Sequence, residues 1–191
     1  MYIIGLTGTI GAGKGAVVDY LVEHHHARHY SVRDFLLQEI TRRGLEPVRE
    51  NMSLVANEFR KQYGSAYIIE QLYKQAMIQG DELVILESLR TVAEIALLRN
   101  TDHCSIVAVD ADRQIRYKRI VSRGSSTDGV TMEEFIADEE KEMQSTDPGR
   151  QNLSACIRLA DVVIQNDGTL DALHEKIEGF LGGLGLDTHS S

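Results

Sequence analysis

The sequence predicts a three-layer α/β/α fold, a parallel β-sheet with helices on both faces, and three observations carry that prediction. Four runs of four to six residues are apolar without polar alternation, as expected for strands covered on both faces. Helical patterns with recognisable start and stop signals lie between them, and such alternation implies right-handed crossovers and a parallel sheet. A glycine-rich turn, Gly8-Thr9-Ile10-Gly11-Ala12-Gly13-Lys14, joins the first apolar run to the first helical pattern.

Tyr2 to Leu6 is the first strand, and the amphipathic run Ala16 to Val22 belongs to the first helix. A weaker fifth strand is expected over His29 to Val32, because it follows that helix and leads into Arg33-Asp34. The next helix begins at Arg33 and stops at Gly44, a residue suited to the left-handed conformation that closes helices. A helical segment carrying Asn57 to Gly64 intervenes, and another helix runs from Ala66 to Gly80. Strands follow at Leu83 to Leu86 and Ser105 to Val109, with a helix beginning near Asp112. Arg123 to Gly129 is a turn-rich loop, expected to form a small lid around 123–130, and a capping box of Thr131 and Glu134 opens the helix beyond it. Asp161 to Gln165 is the last strand and Thr169 opens the last helix. A single domain over 1–182 is expected, with 183–191 a disordered tail rich in glycine and polar residues.

A chain of 191 residues with 42% hydrophobic and 26% charged content is ordinary for one domain with a sizeable core. Its formal net charge of −9 argues against general affinity for a nucleic acid polymer or an anionic membrane, since both need a basic surface. Cys104 and Cys156 stand far apart and outside any C-x-x-C or Cys/His spacing, so neither a disulfide framework nor a zinc site is indicated. No basic leader with a long apolar stretch opens the chain, and no apolar run approaches the roughly 20 residues of a membrane span; the expected compartment is the cytoplasm. The oligomeric state stays open. His24, His25 and His26 are adjacent and fan around a helix, with His29 a turn further on; the reading is imidazoles facing solvent near a favourable dipole end, not a metal site.

The glycine-rich turn carries the chemistry. Glycines let the main chain approach an anion without a Cβ clash, exposed N–H groups surround the anion, and the helix that follows presents its positive end. Gly8, Gly11 and Gly13 supply that freedom, Ala12, Gly15 and Ala16 complete the cradle, and Lys14 supplies a charge for the β- and γ-phosphates of ATP. The strand before and the helix after make the turn a P-loop and the fold a P-loop NTPase fold. Gly15 stands where most P-loops place the Ser or Thr hydroxyl that ligates Mg2+.

Strand Leu83 to Leu86 runs into Glu87-Ser88-Leu89-Arg90. A carboxylate at the end of the strand beside a P-loop is where a magnesium–water ligand belongs, so Glu87 is the candidate metal residue, acting through water; the alternative is a strand-end charge facing solvent. On the helix beginning near Asp112, Arg116, Arg119 and Arg123 fall at i, i+3 and i+7, on one face. Guanidinium groups suit the charge that phosphoryl transfer spreads over three oxygens, which makes Arg119 and Arg123 candidates; a solvated basic face is the alternative, and Arg113 and Lys118 are assigned to the surface. On the acceptor side, Asp34 is either the group that accepts or orients the proton of an attacking hydroxyl or a first-turn acid of its helix. Arg60 is a secondary candidate for reaching the same acceptor.

With these residues the chain resembles the dephospho-CoA kinase and nucleoside monophosphate kinase branch of P-loop proteins over nearly its whole length. Gly5 to Lys14 is similar to the opening of dephospho-CoA kinases, and Ala160 to Gly168 is similar to their last strand and following turn. The resemblance implies a strand order 2-3-1-4-5 and a base site beside Asn166, Asp167 and Gly168. Gly-Lys-Gly is the variant found in adenylate kinases, although Ala16 stands where those usually have threonine. The stretch Glu87 to Arg90 resembles the Asp-Gly-x-x-Arg of nucleoside monophosphate kinases, with Glu for Asp and Ser for Gly, which implies that Arg90 grips an acceptor phosphate. Ser31-Val32-Arg33-Asp34 stands where dephospho-CoA kinases carry Asp-x-Asp. Arg43 to Pro47, Ala56 to Arg60 and Tyr63-Gly64 look closer to kinase-like relatives of dephospho-CoA kinase and to P-loop domains that accompany deoxycytidylate deaminases, without the deaminase H-x-E and P-C-x-x-C set. The expected function is Mg2+-dependent phosphoryl transfer from ATP to a small nucleotide-like acceptor, as in a (deoxy)nucleoside monophosphate kinase. A dephospho-CoA kinase and a nucleotide-sensing regulatory module are the alternatives left open.

Overall fold

In a computed structural model of the chain, residues 1–123, 131–143 and 151–186 are described. The elements run β1 (Tyr2–Gly8), α1 (Lys14–His25), β2 (Arg28–Ser31), α2 (Val32–Arg42), α3 (Arg49–Tyr63), α4 (Tyr67–Gln79) and β3 (Leu83–Glu87). They continue with α5 (Val92–Arg99), β4 (Cys104–Asp110), α6 (Arg113–Arg123), α7 (Met132–Met143), α8 (Leu153–Arg158), β5 (Val162–Gln165) and α9 (Leu170–Gly183). The strands form one parallel sheet in the order β2-β3-β1-β4-β5, the order that the family resemblance implied.

The apolar runs are buried on both faces because each face has its own helical cover. Ile3, Val84, Leu86 and Ile106 point to one side, where Leu36 and Ile40 of α2, Val55 of α3, Ile69 and Leu72 of α4 and Ile95 of α5 close over them. Ile4, Leu6, Ile85, Val107 and Val109 point to the other, against Val17 and Leu21 of α1 and Leu173, Ile177 and Leu181 of α9. Burial of these side chains, at about 25 cal/mol per Å² of apolar surface, is the main force holding the layers together. The register pairs Leu6 with Glu87 and Gly8 with Val109, so the ends of β3 and β4 flank the turn that leaves β1.

The expected caps form. Thr169 Oγ1 accepts from Ala172 N at 3.3 Å, and Thr131 and Glu134 make their reciprocal pair. The fifth strand ends at Ser31, one residue earlier than expected, because Ser31 Oγ caps α2 by accepting from Asp34 N. Helices α5 and α8 had no counterpart in the sequence reading. The first carries a readable signal, a Thr91–Glu94 capping box, and the second is a six-residue turn capped by Asn152.

Ordered structure continues past residue 182, where the domain was expected to end. Leu186 N donates to Leu181 O at 3.1 Å and its side chain packs on the α1/α9 core, an apolar contact that the glycine count obscured. Residues 187–191 of the expected tail, and 124–130 of the expected lid, lie outside the described residues. Among the described residues, no helix is long and apolar enough to cross a membrane.

Candidate active site

The turn after β1 is shaped by positive φ angles of 134°, 78° and 99° at Gly8, Gly11 and Gly13. Close approach demands glycine at all three independently of φ: a Cβ on Gly8 would lie 2.0 Å from Val109 O, one on Gly11 2.7 Å from Arg116 O and one on Gly13 2.4 Å from Asn166 Nδ2. Gly15 is different. A Cβ there meets nothing within 4 Å, so crowding does not account for the missing hydroxyl. The turn is propped from behind, with Asn166 Nδ2 donating to Ala12 O at 2.8 Å, Arg116 Nη1 to Ile10 O at 3.3 Å and Thr9 Oγ1 to Asp110 Oδ1 at 2.6 Å. Lys14 Nζ lies back across the turn on Gly8 O and Thr9 O, at 2.8 and 2.9 Å. A narrow cradle of main-chain groups at the start of α1, with one lysine over it, fits a phosphate chain.

Burial, with the positive charge of Arg90, pushes the Lys14 ammonium down to about 8, against the opposing pull of Glu87 and Glu142. An unfolded lysine keeps its proton to about 10.5, so between those values the unfolded chain binds more protons and this group's contribution to stability rises with pH. Anion binding runs the other way, since it needs the protonated form. ATP is expected to raise the melting temperature, with the rise full near neutral pH and shrinking as pH climbs through about 8. Thermal-shift titrations across that range check this, and a rise undiminished well above it would remove Lys14 from the role.

Glu87 closes β3, and its Oε2 lies 3.0 Å from His29 Nε2 on the neighbouring strand. Burial pushes its carboxyl up, but the His29 hydrogen bond and the charges of His29, Lys14 and Arg90 outweigh it and hold the group below its ordinary value. The histidines thus depart from the solvent-facing cluster expected of them: His29 partners Glu87, and His25 is buried with Nε2 2.7 Å from Glu178 Oε1. Both partners come from distant sequence, which helix periodicity does not reveal. Among the described residues no group of three His, Cys, Asp or Glu side chains is placed to hold a metal by itself. Ser88, next in the chain, has φ 71°, a left-handed conformation that serine adopts under strain. Ser88→Gly is expected to stabilise the chain by about 1 kcal/mol, read as a higher urea midpoint at unchanged m-value.

Beside the turn lies a cavity of about 470 Å³. Ile10, Val32, Leu36 and Met52 give it apolar walls; Arg33, Arg60, Arg90 and Arg123 bring positive charge; Glu87 and Glu142 are its carboxylates. Arg60, on α3, is the unusual member. Its side chain is 4% exposed, and among the described residues its nearest carboxylate is Glu94 Oε1 at 3.9 Å, its Nη1 reaches Asn57 Oδ1 only at 3.4 Å, and its Nε has no partner. Glu94 is already committed to the N–H groups of Arg90 and Thr91, at 2.6 and 2.9 Å. A buried, under-paired guanidinium facing a cavity is a ready anion site. Arg90 Nη1 donates to Gln151 Oε1 at 2.9 Å and lies 2.8 Å from Glu142 Oε1.

The remaining sequence candidates separate. Asp34 is exposed, sits in the first turn of α2 and is not among the cavity walls, so the alternative reading of it, a first-turn acid, is the one the structure matches. Its neighbour Arg33 lines the cavity instead. The three arginines of α6 do not act as one face: Arg116 is buried, bonded to Ala111 O and paired with Glu139, Arg119 reaches Ala12 O at 3.4 Å behind the turn, and Arg123 lines the cavity. Arg113 is engaged as well, donating to Glu139 Oε2 at 2.8 Å. Asn166 is buried and its amide holds the turn, while Asp167 Oδ1 accepts from Asp112 N at 2.6 Å. Gly168 follows them in the same loop. Missed by sequence reasoning were His29 and Glu142, neither of which carries a local signal.

Known proteins resemble this chain in sequence and in fold. The chain is 29% identical over 182 residues to a UPF0200 protein of Hyperthermus butylicus, covering 95% of this chain and 94% of the relative. A UPF0200 protein of Thermococcus sibiricus is 29% identical over 189 residues, with 96% of each chain covered. Among solved structures, TT1252 from Thermus thermophilus aligns with a TM-score of 0.61 at 18% identity, over 96% of this chain and 97% of that one. The shikimate kinase of Aquifex aeolicus aligns with a TM-score of 0.54 at 16% identity, over 96% and 98%. At those identities the likeness concerns the fold. The family profile of the AAA domain (AAA_18) matches residues 4–147, well over half of the chain. With its P-loop, its 2-3-1-4-5 sheet and its kinase-like structural neighbours, the chain belongs to the AAA domain family and has the fold of P-loop kinases.

Proposed function

We propose that the chain is an ATP-dependent phosphotransferase whose acceptor offers a phosphate oxygen, as a (deoxy)nucleoside monophosphate does. The observation that carries this reading is the arginine-lined cavity beside the P-loop, with Arg60 buried in it and under-paired. A hydroxyl acceptor needs a base within hydrogen-bond reach. Asp34 is exposed and not among the cavity walls, Glu142 is paired with Arg90, and Glu87 is hydrogen-bonded to His29 and held below its ordinary value, which makes it a poor base. A phosphate monoester oxygen is already anionic near neutral pH and needs none.

ATP and its magnesium ion, when bound, supply a transferable phosphoryl group with part of its charge neutralised. The amides from Gly11 to Ala16 and Lys14 hold the donor phosphates, Glu87 fits a magnesium contact through water, and of the α6 arginines Arg123 adds its charge from the cavity wall and Arg119 from behind the turn. Arg90, Arg60 and Arg33 hold the acceptor, with Ile10, Val32, Leu36 and Met52 receiving its apolar portion. Asn166, Asp167 and Gly168 shape the base side of the donor pocket. A coupled ADP-release assay across nucleoside monophosphates, deoxynucleoside monophosphates and dephospho-CoA tests this reading. Turnover with a monophosphate is the expected result, and turnover with dephospho-CoA alone would reverse the choice of acceptor. A second reading, a nucleotide-sensing module, is favoured by Gly15 and by the Glu87–His29 pair; ATP-dependent stabilisation without turnover on any acceptor would select it.

A further inference from the structure

We infer that Glu142 sets the acceptor specificity of the cavity by serving as a resident anion on Arg90, which a phosphate dianion displaces and a single carboxylate does not. The inference rests on the proposed reading of the cavity as the acceptor site.

Glu142 comes from the last turn of α7, and its side chain, 15% exposed, stands among the cavity walls. Its Oε1 lies 2.8 Å from Arg90 Nη1, the same nitrogen that donates to Gln151 Oε1 at 2.9 Å. Its charge also reaches Lys14, where it favours the protonated ammonium. One carboxylate is therefore paired with the arginine assigned to the acceptor and adds its charge to the surroundings of the lysine assigned to the donor phosphates.

The rest of α7 is anchored independently of this contact. Glu139, one turn back, is held by Arg113 and Arg116, and the Arg116 guanidinium lies 5.6 Å from the centre of the Phe135 ring. Exchange at Arg90 thus needs only the Glu142 side chain to rotate away, with the helix in place. The competition selects by charge. Glu142 is tethered, so its effective concentration at Arg90 is high, and a free monoanionic carboxylate only replaces like with like while losing association entropy. A phosphate monoester brings a second charge and a third oxygen, more than Glu142 offers to Arg90 and to the other arginines of the cavity wall.

Binding of inorganic phosphate and of acetate, measured by calorimetry at constant ionic strength on the whole chain without nucleotide, tests the inference. Glu142→Gln removes the charge at nearly constant shape, and it is expected to bind phosphate roughly tenfold more tightly than the native chain, the factor recovered when a competing closed state is removed. It is also expected to narrow the preference for phosphate over acetate, and Glu142→Ala should act in the same direction. Combining either change with Arg90→Ala is expected to abolish the gain. Phosphate binding unchanged or weakened in both Glu142 variants, or a gain that survives loss of Arg90, would overturn the role of Glu142. Failure of the phosphotransferase reading shows separately, as absence of ADP release with every acceptor, and leaves the phosphate measurement able to judge Glu142.

Discussion

Lys14→Ala is expected to abolish the rise in melting temperature that ATP confers on the native chain. At a ligand concentration a hundredfold above Kd, binding stabilises the folded state by about 2.7 kcal/mol, and a domain of this size gains about 2–4 °C per kcal/mol. The native chain should therefore shift by roughly 5–11 °C under that condition, and the variant should not shift at all. Each protein is compared with its own nucleotide-free baseline, because the substitution also removes the bonds from Nζ to Gly8 O and Thr9 O. A variant that still shifts as the native chain does would contradict the assignment of the turn as a phosphate cradle, whatever the acceptor proves to be.

Arg60→Met is expected to weaken the acceptor while leaving the ATP-dependent shift intact. A hydrogen bond to a charged group contributes about 1.5–3 kcal/mol, so loss of a buried guanidinium from the acceptor should raise the acceptor KM by about 10- to 150-fold. The substitution keeps a long apolar stem in place, and Glu94 keeps its two main-chain donors at Arg90 and Thr91, so the capping box that opens α5 is preserved. Steady-state kinetics on whichever monophosphate turns over, with the thermal shift as a folding and donor-site control, measure the effect. An acceptor KM that does not move would mean that the under-paired Nε of Arg60 serves some purpose other than anion binding.

The two predictions address halves of the site that differed in how far the amino-acid order revealed them. The turn proposed for the donor was legible because it is contiguous: seven residues from Gly8 to Lys14 carry the turn, the charge and the helix start, and the positive φ angles are ones that glycine adopts freely. Arg90 was named through the family resemblance of the stretch Glu87 to Arg90, whereas Glu94 and Gln151, which engage it, were not named. Arg60 was named but ranked low, because nothing in Asn57 to Gly64 indicates that its guanidinium is buried without a full set of partners. Asp34 attracted attention by its position after the second strand, and a local preference, the helix start at Ser31, accounts for it.

The layered fold and the glycine-rich turn follow from short-range rules of periodicity, capping and glycine conformation, which are properties of neighbours along the chain, and the proposed donor class rests on that turn. The proposed acceptor side depends on parallel pairing and helix packing, which bring Arg60 of α3, Glu87 of β3 and Glu142 of α7 around one cavity, with His29 of β2 bonded to Glu87. Whether a charge there is paired or under-paired, and whether its pKa rises or falls, depends on the dielectric and the partners supplied by residues more than fifty positions away. Pairing across strands and helices has no one-dimensional signature, so Glu142 could not be distinguished from the other acids of its helix until the fold placed it on Arg90.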